Sequence, residues 1–375
     1  MKNNMQKIPF FNYPALFAQR EEEYLEVVNN VLRKGAYIMQ EELFDFEDKL
    51  ASYLGVNHAI GVADGTMALL MSLMAAGVGE GDEVIVPSHT FVASAAAIHH
   101  TGAKPVLVEC ARDHLIDHNS VQSAITEKTK AIMPVQLNGR VANMEPILAI
   151  AKKNGLLIIE DSCQALGAKF DNVYAGTFGV AGTFSFFPAK TLGCFGDGGG
   201  IITNDSDIAD KITMIRDHGR SPIDGKVKLF GFNGRLDNLH AAILGLKLKY
   251  YDEDIARRRS IAQIYQECLG ELDTLLLPPG PNSDLRHYDV FQNYEIEALN
   301  RDELRVFLEK NGVGTILQWG GYGLHQFPDL DLNTDLPFTE AMTKKFMLLP
   351  MHPMLKDEDV LFICDLIKQF YDKTC

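Results

Sequence analysis

Along the first 57 residues, apolar positions recur at helical spacing. Leu25, Val28 and Leu32 mark one amphipathic stretch, and Phe46, Leu50 and Leu54 mark a second. Gly35 and Gly55 follow them as stop signals. The pattern then changes. Short, continuously apolar runs at 59–63, 83–87, 105–108, 131–135, 156–161, 183–187 and 200–203 read as strands. Helical patterns at 67–76, through Ile98 and at 144–153 separate several of them. Apolar strands alternating with helices predict a mostly parallel sheet covered by helices on both faces, a three-layer α/β domain.

A long helical pattern over 238–269 leads away from that sheet, and Pro278-Pro-Gly-Pro281 reads as a linker. Beyond it the pattern predicts a strand at 290–296, a helix at 301–311 capped by Asn300, a short strand at 313–317 and two more helices. The expectation is a large domain over 1–250, N-terminal arm included, and a smaller C-terminal α/β domain over 251–375. There is no internal repeat and no low-complexity tract.

Composition narrows the class. Hydrophobic residues make up 46% of the 375 and charged ones 23%, as in ordinary globular proteins. A formal charge of −15 disfavours nucleic acid and acidic membranes as partners and favours a small molecule. The polar start Met1-Lys-Asn-Asn-Met-Gln-Lys7 does not read as a secretory signal, and no apolar run is long enough to span a bilayer. The six cysteines lack C-x-x-C spacing, which points to a reducing cytoplasm and to no metal cluster.

In parallel sheets, ligands gather outside the carboxyl ends of the strands. Asp64, Ser88, Gln136 and Asp161 stand at those ends. Dinucleotide, P-loop, H-E-x-x-H and G-x-S-x-G motifs are absent; Gly196-Asp-Gly-Gly-Gly200 has the wrong spacing and enters a strand. Asp64-Gly65-Thr66 is either a capped helix start or an anion cradle at a helix N-terminus. Asp161, closing the most apolar strand, needs a partner there: a structural cation or a cationic ligand. Phe91 is either a core residue or a flat surface for a ring. Lys190, among small and apolar neighbours in Ser185-Phe-Phe-Pro-Ala-Lys190, is a solvated turn lysine or an amine held in a site. A phosphate cradle, a buried carboxylate, an aromatic plane and a sheltered lysine converge on pyridoxal 5′-phosphate. The lysine forms the Schiff base, and the acid keeps the pyridine nitrogen protonated.

These motifs resemble those of the DegT/StrS sugar aminotransferases, pyridoxal-phosphate enzymes of the aspartate aminotransferase fold (fold type I). The likeness runs nearly end to end. It takes in Gly35-Ala-Tyr-Ile38, Phe46-Glu47, Tyr53-Leu-Gly-Val56, Gly65-Thr-Met-Ala-Leu69 and Pro87-Ser-His-Thr-Phe-Val-Ala93. It continues through Glu160-Asp-Ser-Cys-Gln-Ala165, Ser185 to Lys190, Gly196-Asp-Gly-Gly199, His218-Gly219 and Asn233-Gly-Arg235. The resemblance implies Lys190 as Schiff-base lysine and proton shuttle, with Asp161 at the pyridine nitrogen. It implies Gln164 at the ring hydroxyl and Phe91 stacked on the ring. Gly65, Thr66 and Ser185 would hold the phosphate. Asn233 would reach the phosphate of a partner subunit, since family members are homodimers with composite sites. Lysine rather than histidine at 190 favours transamination over dehydration.

Four departures from the family pattern bear on this. Asp64 stands where serine is common, and repulsion from a phosphate predicts that it turns away to cap the helix. Thr191 replaces a frequent asparagine. Gln136-Leu-Asn-Gly-Arg140 and Gln318-Trp-Gly-Gly-Tyr-Gly-Leu-His325 both differ from the common substrate-facing versions. Arg235 and His325 are candidate substrate contacts. The reading is an aminotransferase moving an amino group from L-glutamate, through pyridoxamine 5′-phosphate, to a keto carbon of a nucleotide-linked deoxysugar. The alternatives are a keto-cyclitol or free keto-sugar acceptor, and a non-catalytic sensor that binds the cofactor. The glycines at 196–200 read as a flexible frame for the lysine loop.

Overall fold

The computed structural model describes residues 7–374; the polar start before Lys7 and Cys375 lie outside them. Seven strands form the central sheet: β1 (His58–Val62), β2 (Glu83–Pro87), β3 (Lys104–Val108), β4 (Thr129–Ile132), β5 (Leu157–Asp161), β6 (Ala181–Ser185) and β7 (Gly199–Thr203). Their order is β1-β7-β6-β5-β4-β2-β3. β7 runs antiparallel to both of its neighbours and the other pairs are parallel, so the sheet is mostly parallel.

Both faces are covered. Successive β7 residues Ile201 and Ile202 point to opposite faces and fall in different apolar clusters. The helix Gly65–Ala75 is apolar all round, because the sheet lies on one side of it and helices Val92–His100 and Ser206–Ile215 on others. Each fully buried Leu or Met in it contributes roughly 1.5–3 kcal/mol.

A second sheet joins Leu275–Leu276, Tyr294–Ala298 and Phe346–Leu349. Its apolar cluster includes Tyr294, Ile296, Met347, Ile363 and Ile367 from the C-terminal part, and Ile8 from the N-terminal arm. Helix Tyr251–Leu269 contributes to the apolar clusters of both sheets. Its Tyr251 and Ile255 pack in the first cluster, and Ile261, Tyr265 and Leu269 in the second.

Several expected elements are redrawn. The helical pattern over 238–269 is two helices, Asn238–Leu248 and Tyr251–Leu269. At the break, Tyr250 turns out to donate to Glu23 at 2.8 Å under the Arg20 guanidinium, while buried Tyr251 donates to the Leu166 carbonyl. The 131–135 strand is Thr129–Ile132, with Pro134 unable to donate to a ladder and only a bridge from Val135 to Asp161 continuing it. The 183–187 strand is β6, shifted back so that Phe186 pairs with the returning loop at Gly198 and Cys194. The 290–296 strand is Tyr294–Ala298, and 313–317 makes isolated bridges only. Asn300 has φ 53° and makes no side-chain cap bond. The glycines at 196–200 lie where the chain doubles back beside Phe186, and they pack closely there. A Cβ on Gly199 would lie 2.3 Å from the Asp64 carbonyl oxygen, so the glycine permits close packing of β7 on the turn after β1.

Candidate active site

The carboxyl ends of β1, β2, β4, β5 and β6 open onto one cavity of about 540 Å³. Gly65, Thr66, Phe91, Asp161, Gln164, Ser185 and Lys190 all line it, together with Trp319 and the mouth residues Phe187 and Asp197. Asn233, Arg235 and His325 do not. Asn233 is exposed on another part of the surface. Arg235 donates to Asp217 at 2.8 Å, and His325 Nδ1 shares a 2.7 Å hydrogen bond with Ser88 Oγ.

Asp64 resolves the first turn. Its Oδ1 accepts from Met67 N at 2.9 Å, capping the helix Gly65–Ala75. The N–H groups of Gly65 and Thr66 lead the helix and have no intrahelical acceptor. A Cβ on Gly65 would stand 2.8 Å from Ser185 Cβ, so the glycine brings the Ser185 hydroxyl against the helix start. A helix N-terminus with two hydroxyls beside it suits a phosphate.

Across the cavity Asp161 is only 6% exposed. Its Oδ1 accepts from Cys163 N at 3.2 Å and its Oδ2 from Ser94 Oγ at 2.7 Å. Ser94, itself bonded to Thr90 Oγ1 just before the helix Val92–His100, was not evident from the sequence. Phe91 is 53% exposed at the cavity rim, so it is no core residue. Lys190 projects among these groups. Desolvation draws its pKa below the ordinary lysine value, and Cys163 and Asp161 oppose that shift.

Gln164 has a defined orientation. Its Oε1 accepts from Asn138 N at 2.8 Å and from Asn293 Nδ2 at 3.4 Å, which leaves the Nε2 donor end for the cavity. Asn138 leads on to a buried polar cluster. Glu295 accepts from Asn138 Nδ2 at 3.1 Å and Gln318 Nε2 at 3.0 Å, and meets His89 Nε2 at 3.2 Å and His114 Nδ1 at 2.6 Å. Donor atoms of His89, His114 and Glu295 lie within 4.8 Å of one another. Both nitrogens of His114 face carboxylates, however, the second being Glu297 at 3.1 Å. Burial alone would lower the His114 pKa; the two glutamates outweigh it and push it up to about 10. The raised pKa and these contacts favour His114 as an imidazolium between Glu295 and Glu297. His89 also supports Trp319 edge-on, with ring centroids 5.0 Å apart. Trp319 and the two glycines after it all have positive φ, a turn that sets the indole on the cavity. Partners so distant in sequence carry no local signal.

A cavity with a phosphate-binding end, a buried carboxylate, an amine of lowered pKa and an outward amide donor fits pyridoxal 5′-phosphate. Comparison with known proteins agrees. The chain is 40% identical to a "Pleiotropic regulatory protein" of Geobacillus stearothermophilus over 369 residues, 97% of this chain and 98% of the relative. It is 35% identical over 375 residues to a dTDP-3-amino-3,4,6-trideoxy-alpha-D-glucose transaminase of Streptomyces venezuelae, 98% and 97% of the two chains. The Bacillus subtilis protein NtdA, solved with bound cofactor PMP, superposes with a TM-score of 0.89 at 30% identity, covering 98% of this chain and 87% of that one. The profile of the DegT/DnrJ/EryC1/StrS aminotransferase family matches residues 18–368, and the chain belongs to that family of pyridoxal-phosphate-dependent aminotransferases.

Proposed function

We propose that this aminotransferase moves the amino group of L-glutamate to the keto carbon of a nucleotide-linked deoxysugar. The observation that carries the chemistry is the convergence of the Lys190 amine and the Asp161 carboxylate on one cavity at the sheet's carboxyl edge. Bound pyridoxal phosphate supplies an aldehyde that accepts amines and a pyridinium ring that withdraws electrons from the adjoining carbon. Asp161, fixed by Ser94 and the Cys163 N–H, holds a proton at the ring nitrogen. Gln164, with Oε1 occupied, would donate from Nε2 to the ring oxygen. Gly65, Thr66 and Ser185 bind the phosphate, and Phe91 covers one face of the ring. Lys190 anchors the cofactor. Its Nζ, held toward the neutral form by desolvation, would serve as the base for the donor's α-proton and, in the second half, as the acid that delivers a proton to the acceptor carbon.

The acceptor class rests on relatives. Besides the Streptomyces enzyme, a UDP-2-acetamido-2-deoxy-3-oxo-D-glucuronate aminotransferase of Pseudomonas aeruginosa is 38% identical over 339 residues. A panel of keto-sugars with and without a nucleotide, read by mass spectrometry of the aminated product, tests it. Turnover of nucleotide-linked ketones alone supports the proposal; turnover of only free keto-sugars or cyclitols overturns it. The relative named as a regulator favours a second reading, a cofactor-binding sensor, and the same panel would show that reading as no turnover at all.

We further propose a homodimer. Asn233, outside its own cavity, lies beside a loop with Ile223 94% and Phe230 99% exposed, apolar surface that a second copy would cover. From there Asn233 reaches the partner's phosphate. We place the protein in the cytoplasm: Cys110, Cys163, Cys194, Cys268 and Cys364 are all free thiols, and no helix among the described residues is long and apolar enough to cross a membrane.

A further inference from the structure

The four residues before strand Tyr294–Ala298 lie outside its ladder, bonded through Val290 N and Asn293 N to Gly139 and Asn138, and Gln292 turns its side chain to the loop that carries Lys190. Among them Gln292 is buried, at 5% exposure, and its side-chain amide makes two bonds to that loop. Nε2 donates to the Ala189 carbonyl at 2.8 Å, and Oε1 accepts from Thr191 N at 2.7 Å. One amide thus closes on the carbonyl before Lys190 and the N–H after it, as a neighbouring strand would. The N–H of Lys190 itself turns inward to the Phe187 carbonyl at 2.9 Å, and the Thr191 hydroxyl shares a 2.6 Å bond with Tyr251 OH.

The clamp is itself anchored. Arg258 Nη1 donates to the carbonyls of Phe291, Gln292 and Met351 at 3.1, 3.2 and 2.9 Å. Arg258 belongs to the helix Tyr251–Leu269, and Met351 follows the strand Phe346–Leu349. Gln292 does not line the cavity, so any influence on the chemistry passes through Lys190.

We propose that Gln292 is a positioning residue for Lys190. Its amide fixes the two peptide groups that set the direction in which the lysine leaves the backbone, and ties that direction to the second apolar cluster. The proposal rests on Lys190 being the reactive amine. Misplacing a reacting group by about 1 Å costs on the order of 100-fold in rate, so a loosened clamp acts on the chemical step and spares binding.

The test compares wild type with Gln292→Met, which keeps volume and removes both bonds, and Gln292→Glu, which keeps only the acceptor. In the cofactor-free protein, amide hydrogen exchange at 189–191 is expected to quicken roughly 10-fold or more in Gln292→Met. In the loaded enzyme, kcat for the L-glutamate half-reaction falls roughly 10- to 100-fold with KM within about twofold, and Gln292→Glu lies between. Wild-type exchange and wild-type kcat in Gln292→Met overturn the proposal. Should neither variant fold, the wild type decides: a protected Thr191 amide supports the clamp, and one exchanging like an open loop contradicts it. Failure of the Lys190 assignment looks different, since the wild type would then show no lysine-dependent cofactor absorbance, and exchange at 189–191 would still decide the clamp.

Discussion

Two aspartates at strand ends have opposite surroundings. Asp64 spends its Oδ1 on Met67 N and caps a helix, whereas Asp161 is buried against Ser94 and faces the cavity. Asp64→Asn keeps the cap and removes the charge, so cofactor affinity by absorbance titration should hold or improve, with stability changed by less than about 1 kcal/mol. Loss of the cofactor there would contradict the assignment of the turn. His114 makes a pH prediction. Its folded pKa of about 10 lies above the ordinary 6.5, so the contribution is complete below pH 6.5 and lost as pH rises through about 10. Glu295, with burial raising its pKa but the histidines lowering it further, keeps its share down to acid pH. Denaturant unfolding should show His114→Ala destabilised by about 3 kcal/mol near pH 6, with the difference shrinking toward pH 10. A pH-independent difference would refute the imidazolium. Asp161 and the 64–66 turn could be read from the sequence because each sits at a strand end inside a local motif, and Lys190 because it lies in a motif on the loop after β6. The Glu295 cluster could not, since His114 and Glu295 are 181 positions apart.

At the scale of elements, tight packing at the sheet edge shapes the site. β7 carries no side chain at Gly199, where it passes the Asp64 carbonyl, so a methyl group there must push the turn and the strand apart. Gly199→Ala should destabilise the fold by about 1–3 kcal/mol and weaken cofactor binding, seen together in thermal melts and absorbance titration. Wild-type affinity would show that the turn does not depend on β7. The alternation of apolar runs and helices revealed the central sheet, because strands covered on both faces are apolar along their length. Element ends were less visible, and the reasons are tertiary. Residues 290–293 have the apolar pattern of a strand, yet their backbone and side chains are taken by Gly139, Asn138, Arg258 and the lysine loop. The helix break at Tyr250 likewise answers to Glu23 and Arg20, far off in the chain.

For the whole molecule, the acidic balance of −15 and the exposed apolar loop make a joint prediction. Phe230→Asp should shift a dimer toward monomer in sedimentation velocity and weaken cofactor retention, if Asn233 of one copy completes the site of the other. An unchanged mass and unchanged retention would count against composite sites. Assembly of this kind left little trace in periodicity, because an exposed Phe230 reads the same as a buried one until its surroundings are known. The surroundings of Trp319, which lines the cavity, are equally unmarked, as Asn138 and Gln318 meet only in the folded chain. The central claim is that Lys190 and Asp161 form a working transamination site. It is tested most directly by the absorbance of the purified protein loaded with pyridoxal phosphate. The account predicts a lysine-dependent cofactor band that disappears with L-glutamate as an equivalent of 2-oxoglutarate forms, and that is missing in Lys190→Ala. A wild-type protein that stays colourless, or a Lys190→Ala variant with the same band and the same response, would contradict it.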